Sequence, residues 1–177
     1  MRKKSINKKS NPVALFIVEG YTEENYVKIL KQLYLQNVIT ENCLGGGANS
    51  VLLQAEKILS DREEASYYTS FVIIYDSDTD NPKYNHLRTK ISQFSNVELL
   101  MLDPCFENWL LVHVHDKKVK NTDDCDRCIF YLKKYIPNYE KRNFKLLEKY
   151  VNKETFNQAC KKQPIIGKVF KEYFYDA

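Results

Sequence analysis

The chain has 177 residues, 44% of them hydrophobic and 13% aromatic, and a formal net charge of +4. That length suits one domain with a sizeable core, and the aromatic content excludes a disordered chain. No apolar run approaches the roughly 18–20 residues that span a bilayer, and the basic start from Met1 to Asn11 lacks the apolar core of a secretory signal, so a cytoplasmic protein away from membranes is expected.

Residues 1–12 read as a basic, disordered arm ending at Pro12. The first strand is predicted over about Val13 to Val18, a short continuous apolar run. Thr22 then serves as a candidate N-cap, with Glu23 and Glu24 favouring the first turn of a helix that runs to about Leu35. A short strand near Val38 to Leu44 enters Gly45-Gly46-Gly47, and Asn49 or Ser50 opens a second helix. Ser70 to Tyr75 reads as a buried strand, Asn81-Pro82 as a turn, and Tyr84 to Phe94 as a helix. Val97 to Leu102 is the fourth strand. Asp103-Pro104 follows, with Asp as a cap and Pro at the first helical position.

From about Thr122 the pattern is helical: Cys128 to Ile136, Phe144 to Val151, Lys153 to Lys161 and Gly167 to Tyr175. Buried strands alternating with helices imply an α/β fold with a mainly parallel sheet covered on both faces. Residues 13–115 form that core, and 116–177 a helical extension packed on it.

Charge is unevenly spread. Residues 1–10 hold five Lys or Arg and no acid; residues 11–116 balance to −8; residues 117–177 balance to +7. An acidic centre beside basic flanks suits a metal site that grips a polyanion. Five cysteines, an odd number, favour free thiols over a disulfide framework. Cys125 and Cys128 have metal-ligand spacing, but no second pair completes a zinc site, so the two are expected simply to sit on a helix.

Two of the apolar runs end in acid: Leu15 to Val18 in Glu19, and Phe71 to Tyr75 in Asp76-Ser77-Asp78. In open sheets, ligands bind outside the carboxyl ends of the strands, so Glu19, Asp76 and Asp78 should gather at one edge. Crowded carboxylates need a neutralising charge, and hard oxygen ligands suit Mg²⁺ or Mn²⁺. Alternate residues of an extended segment share a face, so Asp76 and Asp78 point the same way if the strand persists. Such an arrangement suits phosphodiester cleavage.

Asp80 extends the run to a pattern close to that of haloacid dehalogenase phosphatases, in which Asp76 would be a nucleophile. The glycine triplet lacks the Gly-Lys-Ser/Thr ending of a P-loop and reads as a turn. Glu107, in the first turn after the fourth strand, is a candidate for catalysis or for the helix terminus alone. His113 and Trp109 read as core neighbours on one helical face. Lys133, Lys134, Lys141, Arg142 and Lys145 are candidate contacts to nucleic-acid backbone, or an exposed amphipathic face.

Three stretches taken in order resemble the RloB-like family: Phe16-Ile17-Val18-Glu19-Gly20-Tyr21-Thr22-Glu23, Asp76-Ser77-Asp78, and Asp103-Pro104-Cys105-Phe106-Glu107-Asn108-Trp109-Leu110-Leu111-Val112-His113. Asp103 stands where the family usually has Asn. The resemblance covers roughly residues 13–115. It implies a Toprim-like fold in which Asp76 and Asp78 hold Mg²⁺ or Mn²⁺, and Glu19 is a metal ligand or moves a proton. It further implies a nuclease effector of antiphage defence and abortive infection that cuts DNA or RNA, tRNA included, under control of an ABC- or AAA-type ATPase encoded nearby. A Toprim-like module that binds and cuts nothing is the alternative. An open sheet edge leaves room for a homodimer.

Overall fold

A computed structural model describes residues 13–115 and 124–176. The basic arm expected over 1–12 lies outside the described residues. Four strands, β1 (Ala14–Val18), β2 (Val38–Asn42), β3 (Ser70–Asp76) and β4 (Val97–Leu102), form one sheet in the order β2-β1-β3-β4. Every pairing is parallel. β1 and β3 are the inner strands, which is why they read as unbroken apolar runs: both of their faces are covered.

The two faces sort by alternation along each strand. Phe16, Val18, Val72, Ile74, Leu100 and Leu102 point into the larger core, and Leu15, Ile17, Phe71, Ile73 and Tyr75 into the smaller one. The smaller core is closed by α2 (Gly47–Ser60) and α4 (Asn85–Ile91). A short helix, α3 (Arg62–Ala65), follows α2 and is capped by Asp61, whose carboxylate accepts from Glu63 N and Glu64 N.

The larger core is closed by α1 (Tyr21–Tyr34) and α5 (Phe106–Val114) together with the extension. The extension's helices are α6 (Cys125–Tyr135), α7 (Phe144–Leu147), α8 (Lys153–Lys162) and α9 (Pro164–Tyr173). Cys128, Leu132, Leu147, Phe156 and Phe170 sit in the same cluster as the sheet residues. Residues 13–115 therefore share their core with the extension.

Aromatic packing dominates this side. The Tyr26 and Trp109 rings contact each other and each contacts both His113 and Phe170, and Tyr26 Oη lies 3.0 Å from His113 Nε2. Phe106, Tyr26 and Trp109 are core as expected, and so is His113.

Three local expectations are corrected. α5 begins at Phe106, with Cys105 in the cap position, and Asp103 instead accepts the Ser77 hydroxyl at 2.9 Å. Gly20, with no side chain to donate to or accept from the helix, occupies the N-cap position of α1. Thr22 lies inside its first turn and turns to Glu107. Cys105 and Cys125 form a disulfide, their Cα atoms 5.7 Å apart, because the start of α6 packs on the start of α5. The odd cysteine count gave no sign of that long-range pairing. Cys125 and Cys128 do sit on one helix, and no helix of the described residues is long and apolar enough to cross a membrane.

Candidate metal and catalytic site

β1 sends the chain to β2 on one side, and the chain then returns to β3 on the other side of β1. The strand order therefore reverses between β1 and β3, and that crevice is where open parallel sheets place their ligands. The register pairs Val18 with Ile74, so Glu19 follows one step past the pair and Asp76 two. Glu19 Oε2 accepts from Asp76 N at 3.3 Å and from Thr79 Oγ1 at 3.2 Å. Asp76 Oδ1 accepts from Phe106 N at 2.9 Å, the first backbone donor of α5. Both acids are thus held by backbone geometry at the carboxyl edge.

β3 stops at Asp76, so Asp78 lies in the following turn rather than on a continued strand face. Its own N–H donates to Pro104 O at 3.1 Å, which ties the turn to the β4–α5 connection. Thr79 links a third element: its Oγ1 accepts from Ala48 N at the start of α2. Gly47, at φ 75°, lets α2 begin against that threonine; a Cβ there would lie 3.4 Å from Thr79 Cβ. Only Gly45 of the glycine triplet lies in a turn; Gly46 is the N-cap of α2 and Gly47 its first residue, so the helix opens two residues before the expected Asn49, and Gly47 reaches the acid edge through Thr79.

The acids perturb one another. Burial, then the carboxylates of Glu23, Glu19, Glu107 and Asp78, push Asp76 up to about 9. Burial, then Glu107 and Glu19, push Glu23 up to about 7. Glu19 and Asp78 are also raised, burial being the largest cause for each. Asp80 does not join this set; it pairs with Arg88.

Glu107 is 1% exposed and is the most heavily bonded of the acids. Its Oε1 accepts from Tyr139 Oη at 3.0 Å and Thr22 Oγ1 at 3.3 Å, and lies 3.3 Å from Lys141 Nζ. It therefore clamps α1, α5 and the segment after α6 together. Burial alone would lower the Lys141 ammonium, but Glu107, Glu23 and Asp76 outweigh it and hold it above its usual value.

Of the predicted backbone contacts, Lys141 and Arg142 come to the acid edge, Arg142 lying 4.6 Å from the centre of the Tyr21 ring. Lys133 and Lys134 stand exposed along α6, and Lys145 on α7. Thr79, Tyr139, the bond from Thr22 to Glu107 and the ion-pairing role of Lys141 escaped the sequence reading. The carboxylate-rich edge could have prompted a search for a buried counter-ion, but nothing in the sequence placed residues 139–141 there.

Among the described residues, the group of His, Cys, Asp or Glu with ligand atoms all within 4.8 Å of one another is Cys105, Glu107 and Cys125. Its two sulfurs are bonded to each other, so as a disulfide they offer no thiolate. Glu19, Asp76 and Asp78 do not close to that spacing. Their hard oxygens and wider spread suit a cation that keeps several waters and takes only one or two carboxylates, as Mg²⁺ does.

These features define a parallel α/β protein with clustered, perturbed carboxylates at the switch point of its sheet. A family profile described as RloB-like protein matches residues 15–169. The chain belongs to the RloB-like family, and the match runs through the extension as well as the sheet. No curated protein and no solved structure matches it.

Proposed function

We propose that this protein is a Toprim-like, Mg²⁺- or Mn²⁺-dependent nuclease that cleaves phosphodiester bonds in DNA or RNA. The observation that carries the reading is the set of carboxylates at the switch point. Asp76, Glu23, Glu19 and Asp78 are all raised, first by burial and then by neighbouring acids, so the protein gathers these carboxyls where their charge is disfavoured. A divalent cation, when bound, would polarise the phosphate and acidify an attacking water.

Asp76, Asp78 and Glu19 are the candidate ligands. Glu23, buried and raised to about 7, is suited to hold or take a proton near neutral pH. Lys141 and Arg142 supply positive charge beside the acids, where the phosphate of a bound strand would lie. By family resemblance the biological role is antiphage defence, with an ABC- or AAA-type ATPase as controlling partner.

The test is cleavage of plasmid DNA, single-stranded DNA and tRNA in Mg²⁺, Mn²⁺ or EDTA, with the partner ATPase and its trigger present. Wild type is run beside Asp78→Asn. Metal-dependent cutting that disappears in the variant is expected. Absence of cutting under all these conditions overturns the nuclease reading.

A second reading, a module that binds and cuts nothing, is favoured by one observation. Lys141 already lies against Glu107 and neutralises part of the acid charge. On that reading Asp78→Asn leaves biological protection intact.

A further inference from the structure

Helix α6 carries a stripe that core packing uses only at Tyr131, which is partly buried against the larger cluster. Arg127, Phe130, Tyr131 and Lys134 recur at the spacing of one helical face. Phe130 is 60% exposed and belongs to neither hydrophobic cluster of the described residues. Lys134 Nζ lies 4.4 Å from the centre of the Phe130 ring and 4.9 Å from that of Tyr131; the Arg127 guanidinium lies 5.9 Å from Tyr131. The opposite side of the same helix, with Cys128 and Leu132, is buried.

The stripe leads away from the acid edge. α6 starts at Cys125, whose Sγ lies 3.6 Å from Glu107 Oε2. At a rise of about 1.5 Å per residue, Phe130 stands roughly 7.5 Å further along the axis. A second aromatic–cation pair, Tyr21 with Arg142, flanks Glu19 at the start of α1.

We propose that this face of α6 binds unpaired nucleotides, which makes single-stranded DNA or RNA the substrate class of the neighbouring carboxylates. The inference rests on the nuclease reading. Flat rings set between cations match a chain of bases joined by phosphates: each base offers a π-face to stack on, and each phosphate a charge to Arg127, Lys133 or Lys134. A duplex hides its base faces in its own stack and can use only the cations. An exposed phenylalanine held by one lysine adds little to the helix by itself, whereas it is well placed for a base.

The test uses the full chain in EDTA, so that binding is read without cleavage. Fluorescent oligo-dT and oligo-U on the order of 20 nucleotides, and a duplex of equal length, are titrated by anisotropy. Single strands are expected to bind more tightly than the duplex. Phe130→Ala should weaken single-strand binding about tenfold and leave duplex binding unchanged. Phe130→Trp, which restores a stacking face, should recover the affinity and also guards against a folding artefact. The oligo-dT and oligo-U arms identify the sugar. Equal affinity for duplex and single strand, or a Phe130→Ala variant indistinguishable from wild type, overturns the inference while leaving a nuclease for duplex DNA standing. Failure to bind any of the probes overturns the inference too, and the nuclease reading is then decided by the cleavage test.

Discussion

Asp76 and Glu23 illustrate how one location changes the chemistry of an ordinary side chain. A carboxyl that is raised on folding holds its proton more tightly in the native state than in the unfolded chain. Its contribution to stability is complete below its unfolded value and disappears as the pH climbs through its folded one. For Asp76 that window runs from 3.8 to about 9, and for Glu23 from 4.5 to about 7. Metal-free protein should therefore lose stability as the pH rises across this range. Asp76→Asn should flatten the loss in urea titrations taken at several pH values, and an unchanged slope would count against the crowding of these acids. On the proposed nuclease reading, Glu23 also bears on rate. Glu23→Gln keeps size and removes the titrating proton, so kcat should fall by about 10²–10⁴-fold with KM little changed. The limb of the pH–rate profile near neutrality should vanish with it.

Elements here are fixed by close approach as much as by periodicity. α8 and α9 meet at Gly167, where an added Cβ would lie 2.5 Å from Cys160 Cα and 2.8 Å from Cys160 O. Those are backbone atoms and cannot swing aside. Gly167→Ala should destabilise the protein by about 1–3 kcal/mol, as an overpacked core does, visible as a lower urea midpoint with an unchanged slope. At Gly46 an added Cβ would lie 2.2 Å from the Ser50 hydroxyl, which can rotate, but also 2.6 Å from Ser50 Cβ, which cannot, so a loss of stability is expected there as well. The sequence made the sheet legible because inner parallel strands need both faces apolar, so β1 and β3 announce themselves. The start of α5 was misread because Asp103-Pro104 carries the residues of a helix cap while the Asp103 side chain is engaged by Ser77. Local preference and tertiary partner disagreed, and the partner prevailed.

At the scale of the whole molecule, the sheet and its extension form one structure joined at three points near the acids. These are Tyr139 and Lys141 on Glu107, Arg142 on Tyr21, and the Cys105–Cys125 disulfide. Glu19, Asp76 and Asp78 could be read from strand ends, because topology alone brings the ends of parallel strands together. Lys141 could be named as basic but not placed, since its position depends on how α6 docks and no local pattern encodes that. The disulfide closes a loop with a sequence separation of 20. Cross-linking a loop of that size restricts the unfolded chain by about 3 kcal/mol. Cys125→Ser should lower unfolding stability by about that amount without reductant, and reductant should do the same to wild type. A stability that ignores both would show that the bond does not form in solution.

The order in which the chain is made gives the clamp at Glu107 another meaning. All of the acids lie before residue 108, whereas Tyr139 and Lys141, which hold Glu107 in place, come more than thirty residues later. Phe156 and Phe170, on which the larger core also depends, come later still. A chain that stops partway thus carries every carboxylate of the site but neither the Tyr139 and Lys141 clamp on Glu107 nor the side chains that complete the larger core.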